Sequence, residues 1–217
     1  MNARKKFDDF TAPLRYGIVK LVVPSAYRNW TTCNDAFMAK IGEVPRPMIL
    51  SLKSELSQKL VGVEIGVADA KNALCILTEL PMEKLYLIDP YSPYTEDGHP
   101  VLSDLNTYRK IAHQKLVSFS QVSFIEKTAA EAASEIPDGL DFVYIDGNHD
   151  YTHVKSDIAL YYPKVKPKGT IGGHDYGLAN CQGVNRAVNE FVATYGYEPR
   201  KNFFAIFPDW YVTKRDS

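Results

Sequence analysis

The most informative segment of the chain is Leu60-Val61-Gly62-Val63-Glu64-Ile65-Gly66, an apolar run that closes on an acid and a glycine. Four more apolar runs follow, and three of them also end in polar residues: Asp89, the stretch Asp146-Gly147-Asn148-His149-Asp150, and the pair His174-Asp175. In an open parallel sheet, ligands bind in the crevice beyond the carboxyl ends of the strands. Carboxylates and glycines at the ends of these runs therefore predict a site for a nucleotide-type cofactor.

The five runs alternate with stretches of helical periodicity. The runs predict strands over Leu60–Ile65, 84–88, Val122–Ile125, Leu140–Ile145 and 170–173. The stretches between them predict helices over about 70–80, 104–118, 129–133, Tyr151–Tyr161 and the segment that holds Val184, Ala187, Val188, Phe191 and Val192. This alternation is typical of a parallel sheet with helices on its faces.

The end of the chain breaks the alternation. The runs 203–207 and Trp210–Thr213 are separated only by Pro208 and Asp209, which is too little chain for a parallel crossover. We therefore expect an α/β fold: a Rossmann-like, doubly wound sheet of five parallel strands plus a C-terminal antiparallel hairpin, with a short N-terminal extension.

The first 57 residues differ from the rest. Four prolines, Pro13, Pro24, Pro45 and Pro47, divide them into short pieces, which argues against a second autonomous core. Two interpretations stand side by side, a packing extension and a lid or dimerisation segment over the cofactor cleft. We accordingly divide the chain into an extension, 1–57, and one domain, 58–217.

Composition excludes several classes of partner. A net charge of −1 produces no global field toward nucleic acid or an anionic membrane, and no apolar run approaches the roughly 20 residues that cross a bilayer. Basic residues near the N-terminus are not followed by an apolar core, so they do not predict a secretory signal. Three widely spaced cysteines, Cys33, Cys75 and Cys181, predict reduced thiols in a cytoplasmic protein.

Four motifs carry a resemblance to a known family, and the resemblance extends over about residues 58 to 214. They are 63–67 (VEIGV), 87–90 (LIDP), 141–151 (DFVYIDGNHDY) and 172–176 (GGHDY). The chain resembles the class I S-adenosylmethionine-dependent methyltransferases, and within them the small O-methyltransferase-like group that includes macrocin-type and other sugar methyltransferases. The resemblance implies an enzyme that moves a methyl group from S-adenosylmethionine to an oxygen of a small molecule or sugar.

The resemblance also implies which residues bind the cofactor. They are Glu64, Gly66, Val67, Asp89, Thr128, Ala129 and Asp146. Asp89 is expected to accept from the ribose hydroxyls, as acids at this position do in dinucleotide folds; its alternative is a turn aspartate before Pro90. Thr128 is expected near the adenine edge, and its alternative is a simple helix N-cap. The family usually has a glycine near position 70, where this chain has an alanine that cannot freely adopt a positive φ.

The acceptor side is expected around the last two motifs. Asp146 and His149 are the predicted catalytic residues, with His149 as a general base because its unperturbed pKa is near ~6.5; the alternative is a loop histidine that caps the next helix. The resemblance places a metal at Asp146, His174 and Asp175. Carboxylate oxygens suit Mg²⁺, whereas an imidazole suits softer divalent metals, so both the presence and the identity of the metal stay open.

Two other functions compete with methyl transfer. An NAD-type oxidoreductase needs a Gly-x-Gly-x-x-Gly turn after the first strand, and residues 66–71 (GVADAK) do not supply it. A non-catalytic module that binds a nucleotide is supported only by the alanine at position 70. The predicted partner is a small-molecule acceptor, not nucleic acid or membrane, and a homo-oligomer is left open.

Overall fold

The structure, a computed structural model, describes residues 45–54, 58–96, 98–101, 104–201 and 209–216. The segment Pro45–Ser217 forms one compact unit. The predicted run 203–207 and most of the predicted extension lie outside the described residues.

Helices and strands alternate along most of the described chain. The helices are α1 (Pro47–Ser54), α2 (Lys71–Glu79), α3 (Leu105–Leu116), α4 (Ala129–Ala132), α5 (Tyr151–Tyr161) and α6 (Gln182–Tyr195), and a 3₁₀ turn covers Ala133–Glu135. The strands are β1 (Leu60–Ile65), β2 (Met82–Ile88), β3 (Thr95–Glu96), β4 (His99–Pro100), β5 (Val122–Ile125), β6 (Leu140–Ile145), β7 (Val165–Gly173), β8 (Arg200–Lys201) and β9 (Trp210–Thr213).

The main sheet confirms the predicted architecture. Its strand order is β5-β2-β1-β6-β7-β9-β8, with β3 and β4 paired separately. The first five strands run parallel, whereas β9 pairs antiparallel with both β7 and β8. The chain moves outward from β1 through β2 to β5 and then returns to the other side of β1 with β6. The crevice at this switch point is where ligands bind in such sheets.

Helices cover both faces of the sheet. In β6, Val143 and Ile145 belong to the hydrophobic cluster that includes residues of α5 and α6, whereas Phe142 and Tyr144 belong to the cluster that includes residues of α1, α2 and α3. Successive residues of a strand point to opposite faces, so β6 is buried on both sides. Met48 of α1 is only 1% exposed, which makes this helix part of the second cluster.

Two strands begin earlier than the sequence predicts. β2 starts at Met82, and β7 starts at Val165. The pairing of β7 with β6 shifts register before Thr170, and Lys168 has φ 64° inside this irregular stretch. A bulge of this kind accommodates a proline and a glycine, here Pro167 and Gly169, within a strand. These two residues are the reason that the sequence predicts a turn there.

Two further observations concern the whole described chain. No helix among the residues given above is long and apolar enough to cross a membrane. Cys75 and Cys181 are buried and form no disulfide with another described residue, and Cys33 lies outside the described residues.

Candidate active site

A cavity of about 640 Å³ opens at the carboxyl ends of the central strands. Five of the residues predicted to bind a cofactor line it: Gly66, Asp89, Thr128, Ala129 and Asp146. Glu64 and Val67 lie behind this wall and are buried. The loops after β1, β2, β5 and β6 therefore meet at one cavity, as the parallel sheet requires.

The carboxylate of Asp89 ties two of these loops together. Its Oδ2 accepts from the backbone N–H groups of Val67 at 2.9 Å and Ala68 at 3.0 Å, and its Oδ1 accepts from the N–H of Tyr91 at 2.9 Å. A carboxylate oxygen carries two lone pairs, so Oδ1 keeps acceptor capacity for a ligand hydroxyl. Asp89 thus combines the predicted turn role with a position in the cavity wall.

The loop after β1 is held in a left-handed conformation. Gly66 has φ 83°, and Ala68 and Ala70 have φ 47° and 58°. Left-handed backbone costs a residue with a Cβ roughly 1–2 kcal/mol, so the two alanines carry strain that glycines would avoid. Ala70 nevertheless adopts the conformation and serves as the N-cap residue of α2, fully buried.

Gly66 is required for close contact between two backbones. A Cβ at this position would lie 2.1 Å from the carbonyl oxygen of Asp146. We expect Gly66→Ala to destabilise the fold by about 3 kcal/mol or more, because the left-handed φ and the displaced backbone both add to the cost. Urea unfolding measures the change.

Gly139 is the matched control for this substitution. It has φ 87°, and a Cβ there would meet no atom within 4 Å. Gly139→Ala should therefore cost only the roughly 1–2 kcal/mol of the left-handed backbone. Equal decreases in the free energy of unfolding for the two variants would show that the loop can adjust to a Cβ and that glycine is not required at position 66.

Glu64 is a carboxyl buried at the end of β1. It is 1% exposed, and its Oε1 accepts from Asn72 Nδ2 at 3.0 Å. Its Oε2 is buried with no hydrogen-bond partner among the described residues. Burial raises the pKa of Glu64 to about 8, although the bond from Asn72 opposes the shift. The side chain is therefore mostly neutral at pH 7 and still has an unused acceptor.

This pKa implies a pH-dependent stability with a defined sign. Folding favours the protonated form of Glu64, since an ordinary glutamate has a pKa of 4.5. Its contribution is complete below about pH 4.5 and is lost as the pH rises toward 8. We expect the stability of Glu64→Gln relative to wild type to increase by about 2 kcal/mol between about pH 5.5 and 7.5. Urea unfolding across this range measures it, with the exposed Glu83→Gln as control, and parallel profiles for wild type and Glu64→Gln would contradict it.

Thr128 is a helix N-cap that also lines the cavity. It is the N-cap of α4, where its hydroxyl oxygen accepts from the N–H of Glu131 and the Glu131 carboxylate accepts from the Thr128 N–H. This capping box fixes the start of α4. Thr128, Ala129 and Ala130 also line the cavity, so the cap shapes the wall of the site.

A cluster of carboxyl groups surrounds His149 beside the cavity. Its Nε2 lies 2.9 Å from Asp175 Oδ2 and 4.0 Å from Asp146 Oδ1, and its Nδ1 contacts Glu96 Oε1. Ligand atoms of Asp146, His149 and Asp175 all lie within 4.8 Å of one another, as a metal site requires. His174 adjoins this group, with Nδ1 3.0 Å from Asp175 Oδ1 and 3.8 Å from Asp146 Oδ1. The four residues predicted for catalysis and metal binding therefore lie together.

The cluster determines the protonation of its histidines. Burial alone would lower the pKa of His149, but the acceptor oxygens of Asp146 and Asp175 and the charges of Asp175 and Glu96 raise it to about 11. The same balance raises the pKa of His174, mainly through Asp175 and Asp146. Although burial opposes it, hydrogen bonds from the two histidines lower the pKa of Asp175 well below its usual range. In the ligand-free protein His149 is therefore protonated and forms ion pairs with the surrounding carboxylates.

A second polar network lies next to this cluster. Arg46 places one guanidinium nitrogen 3.6 Å from Asp209 Oδ1 and another 3.8 Å from Asp146 Oδ2. Tyr144 donates from its hydroxyl to Asp209 Oδ1 at 2.9 Å. Burial raises the pKa of Asp209 to about 6, although Arg46, His174 and Tyr144 oppose the shift. Arg46 therefore links the carboxylate of Asp146 to the buried pair of Asp209 and Tyr144.

Several of these residues could not be recognised in the sequence. Arg46 stands between two prolines, Asp209 follows Pro208 before the last strand, and Glu96 lies in a loop rich in turn-forming residues. Each reads as an ordinary loop charge, and the sequence carries no signal that separates them from solvated residues. Asn72 is the exception, because it stands eight residues after Glu64 at the start of α2, where a partner for a buried acid is expected.

Comparison with known proteins indicates the family. A family model described as a methyltransferase domain matches residues 63–176, which is more than half of the chain. Among curated proteins, the uncharacterised protein R132 of Acanthamoeba polyphaga mimivirus is 27% identical over 135 residues, which cover 62% of this chain and 60% of that protein. The chain spans less than two thirds of the length of the curated relatives it matches.

Solved structures share the fold. A putative caffeoyl-CoA O-methyltransferase from Staphylococcus aureus superposes with a TM-score of 0.57 at 16% identity, over 92% of this chain and 99% of that one. The O-methyltransferase NovP superposes with a TM-score of 0.58 at 15% identity, over 82% of this chain and 79% of that one. At identities this low the similarity shows the fold alone.

Proposed function

The chain belongs to the class I S-adenosylmethionine-dependent methyltransferases, and we propose that it methylates an oxygen of a small-molecule or sugar hydroxyl. The observation that carries the choice of oxygen is the cluster of Asp146, His149 and Asp175 beside the cavity. A hydroxyl is a weak nucleophile at neutral pH and needs a group that takes or weakens its proton. A cluster rich in carboxyl oxygens is suited to that task.

The cavity fits the cofactor that the family uses. Its volume of about 640 Å³ lies in the usual range for a small-molecule site. Gly66 lines the cavity, and the buried Oε2 of Glu64 lacks a partner among the described residues. When bound, S-adenosylmethionine supplies a methyl group on a sulfonium centre, which is electrophilic.

Five of the predicted cofactor residues have a proposed task in binding. Asp89 accepts from one ribose hydroxyl through the lone pair left on Oδ1. Glu64 sits behind the loop that holds the methionine end, where the ammonium charge of that end favours its ionised form. Thr128 and Ala129 present the start of α4 toward the adenine edge. Asp146 joins this cavity to the acceptor cluster.

The acceptor cluster is suited to a divalent cation. Three carboxyl groups, those of Glu96, Asp146 and Asp175, surround His149 and offer oxygen ligands. Asp146, Asp175 and His149 would hold the ion, and His174 is adjacent to them. A divalent cation there would supply Lewis acidity that lowers the pKa of a bound hydroxyl. Mg²⁺ suits the carboxylates, and the histidine favours a softer ion.

The two roles of His149 are alternatives, because a ring nitrogen bound to an ion cannot accept a proton. Without an ion, His149 is proposed to take part in proton transfer together with its carboxylate partners. As an imidazolium it cannot accept a proton, so it acts as a base only when the surrounding negative charge is reduced. Glu96 and Asp175 fix the ring from both sides, which orients it toward Asp146 and the cavity. Because these groups interact strongly, their proton affinity belongs to the cluster rather than to one residue.

The remaining assignments stay predictions. They include the division at residue 57 with its lid or dimerisation segment, a homo-oligomeric state and a cytoplasmic location. Arg46 shows that residues before position 57 contribute a charge to the site, which is compatible with either interpretation of that segment.

Binding and turnover test the proposal in two steps. Calorimetry with S-adenosylmethionine should show one site per chain, and NAD should not bind. Transfer of a labelled methyl group should then be found in a panel of sugars and other hydroxyl compounds, with and without a chelator. Cofactor binding without transfer to any acceptor class would favour the non-catalytic module, and transfer only to nitrogen or carbon acceptors would reject the oxygen assignment.

A further inference from the structure

Helix α5 carries a carboxyl group on its buried face. The buried residues of this helix are Val154, Asp157, Ile158 and Tyr161. Asp157 is 7% exposed and makes no hydrogen bond or ion pair with any other described residue. The Asp157 oxygens are not among the fully enclosed unpaired atoms of the described residues, so water or a ligand supplies their hydrogen bonds.

The partner has access through the cavity. Asp157 lines the cavity together with Thr128, Ala129 and Ala130. Tyr161, four residues further along α5, donates from its hydroxyl to the carbonyl oxygen of Ala129 at 2.7 Å. Residues i and i+4 lie on the same face of a helix, so Asp157 faces the part of the cavity formed by the start of α4. This is the part assigned above to the adenine edge.

We propose that Asp157 recognises the 6-amino group of the cofactor's adenine and thereby selects adenine over a 6-oxo purine. The inference rests on the proposed function, because it assumes the same cofactor in the same cavity. The exocyclic amino group donates hydrogen bonds, and a carboxylate accepts them. A 6-oxo group would present an acceptor to an acceptor, so the carboxylate would reject it.

The environment of Asp157 keeps both protonation states available. Burial raises the pKa of Asp157 to about 7, so the carboxylate form predominates at about pH 8.5. The protonated form has one donor and one acceptor, the pattern with which an Asn or Gln amide pairs with adenine. Selection against the 6-oxo purine is therefore a property of the ionised form and is best measured above neutrality.

Calorimetry at about pH 8.5 with S-adenosylhomocysteine and S-inosylhomocysteine tests the proposal. Wild type should bind the adenosyl compound at least about tenfold more tightly, which corresponds to one hydrogen bond to a charged group. Asp157→Ala should bind the adenosyl compound about tenfold more weakly, and the preference should nearly vanish. Asp157→Asn should keep the adenosyl affinity and gain affinity for the inosyl compound, because an amide can both donate and accept.

The outcomes separate this inference from the proposed function. If wild type binds neither compound, both are overturned. If wild type binds the adenosyl compound and Asp157→Ala keeps the full preference, only the role of Asp157 is overturned. Thermal melting reports whether each variant folds, and Asp157→Asn, which preserves shape, decides the question if the alanine variant does not fold.

Discussion

Replacing Asp89 by alanine should lower the affinity for S-adenosylmethionine about 100-fold or more. The carboxylate is proposed to accept from a ribose hydroxyl, and a hydrogen bond to a charged group contributes about 1.5–3 kcal/mol. The same side chain holds the N–H groups of Val67, Ala68 and Tyr91, so its loss also loosens the loops that shape the cavity. Titration calorimetry measures the affinity.

A neighbouring acid provides the matched control. Asp69 lies in the same loop but pairs with Lys71 and Lys115 and does not line the cavity. Asp69→Ala should therefore bind the cofactor close to wild type. Asp89→Asn, which keeps the shape and one acceptor oxygen, should fall between wild type and Asp89→Ala. Unchanged affinity in Asp89→Ala would mean that the cofactor is not placed across the end of β2.

Replacing Asp175 by alanine should reduce kcat about 1000-fold while leaving cofactor affinity close to wild type. A loss of this size corresponds to about 4 kcal/mol of transition-state stabilisation, which is what an ion ligand or a charge partner for His149 supplies. Asp175 contacts His149 and His174 but does not line the cavity, so the cofactor should not sense its removal. Methyl transfer and calorimetry report the two quantities separately.

A chelator distinguishes the two roles of Asp175. If a divalent cation is held there, chelation should reduce wild-type turnover and have little further effect on Asp175→Ala. If wild type is insensitive while Asp175→Ala is inactive, the carboxylate acts through His149 without an ion. Asp138→Ala, an acid that is 87% exposed, should behave as wild type. Full activity of Asp175→Ala would reject the proposed acceptor centre.

The sheet could be predicted because each of its main strands is a distinct apolar run in the sequence. A strand such as β6 is buried on both faces, and burial on both faces requires a continuous apolar run. Helices α2 and α5 follow from apolar spacing and from breakers at their ends. The start of β7 was not predicted because Pro167 and Gly169 normally indicate a turn. Here both residues lie within the strand, at an irregularity in its pairing with β6.

The candidate site was predictable only where polar residues follow strands directly. Asp89, Asp146 and Asp175 stand at strand ends, and parallel strands bring such ends together. Glu96 and Asp209 reach the same place from a short hairpin and from the chain end, and neither position has a local signature. The protonation of His149 was likewise hidden, because a pKa depends on neighbours that are distant in sequence.

The order of the strands and helices, the family and most of the side chains around the cavity could be inferred from the amino-acid sequence, because they depend on local periodicity and on where each run ends. Which charged groups lie next to one another is visible only in the folded structure. It brings Arg46 and Asp209 to Asp146, surrounds His149 with three carboxyl groups and places Asp157 in the cavity wall without a partner among the described residues. The physical reason is that electrostatic and desolvation energies depend on distances across the folded chain, and sequence separation does not reveal those distances.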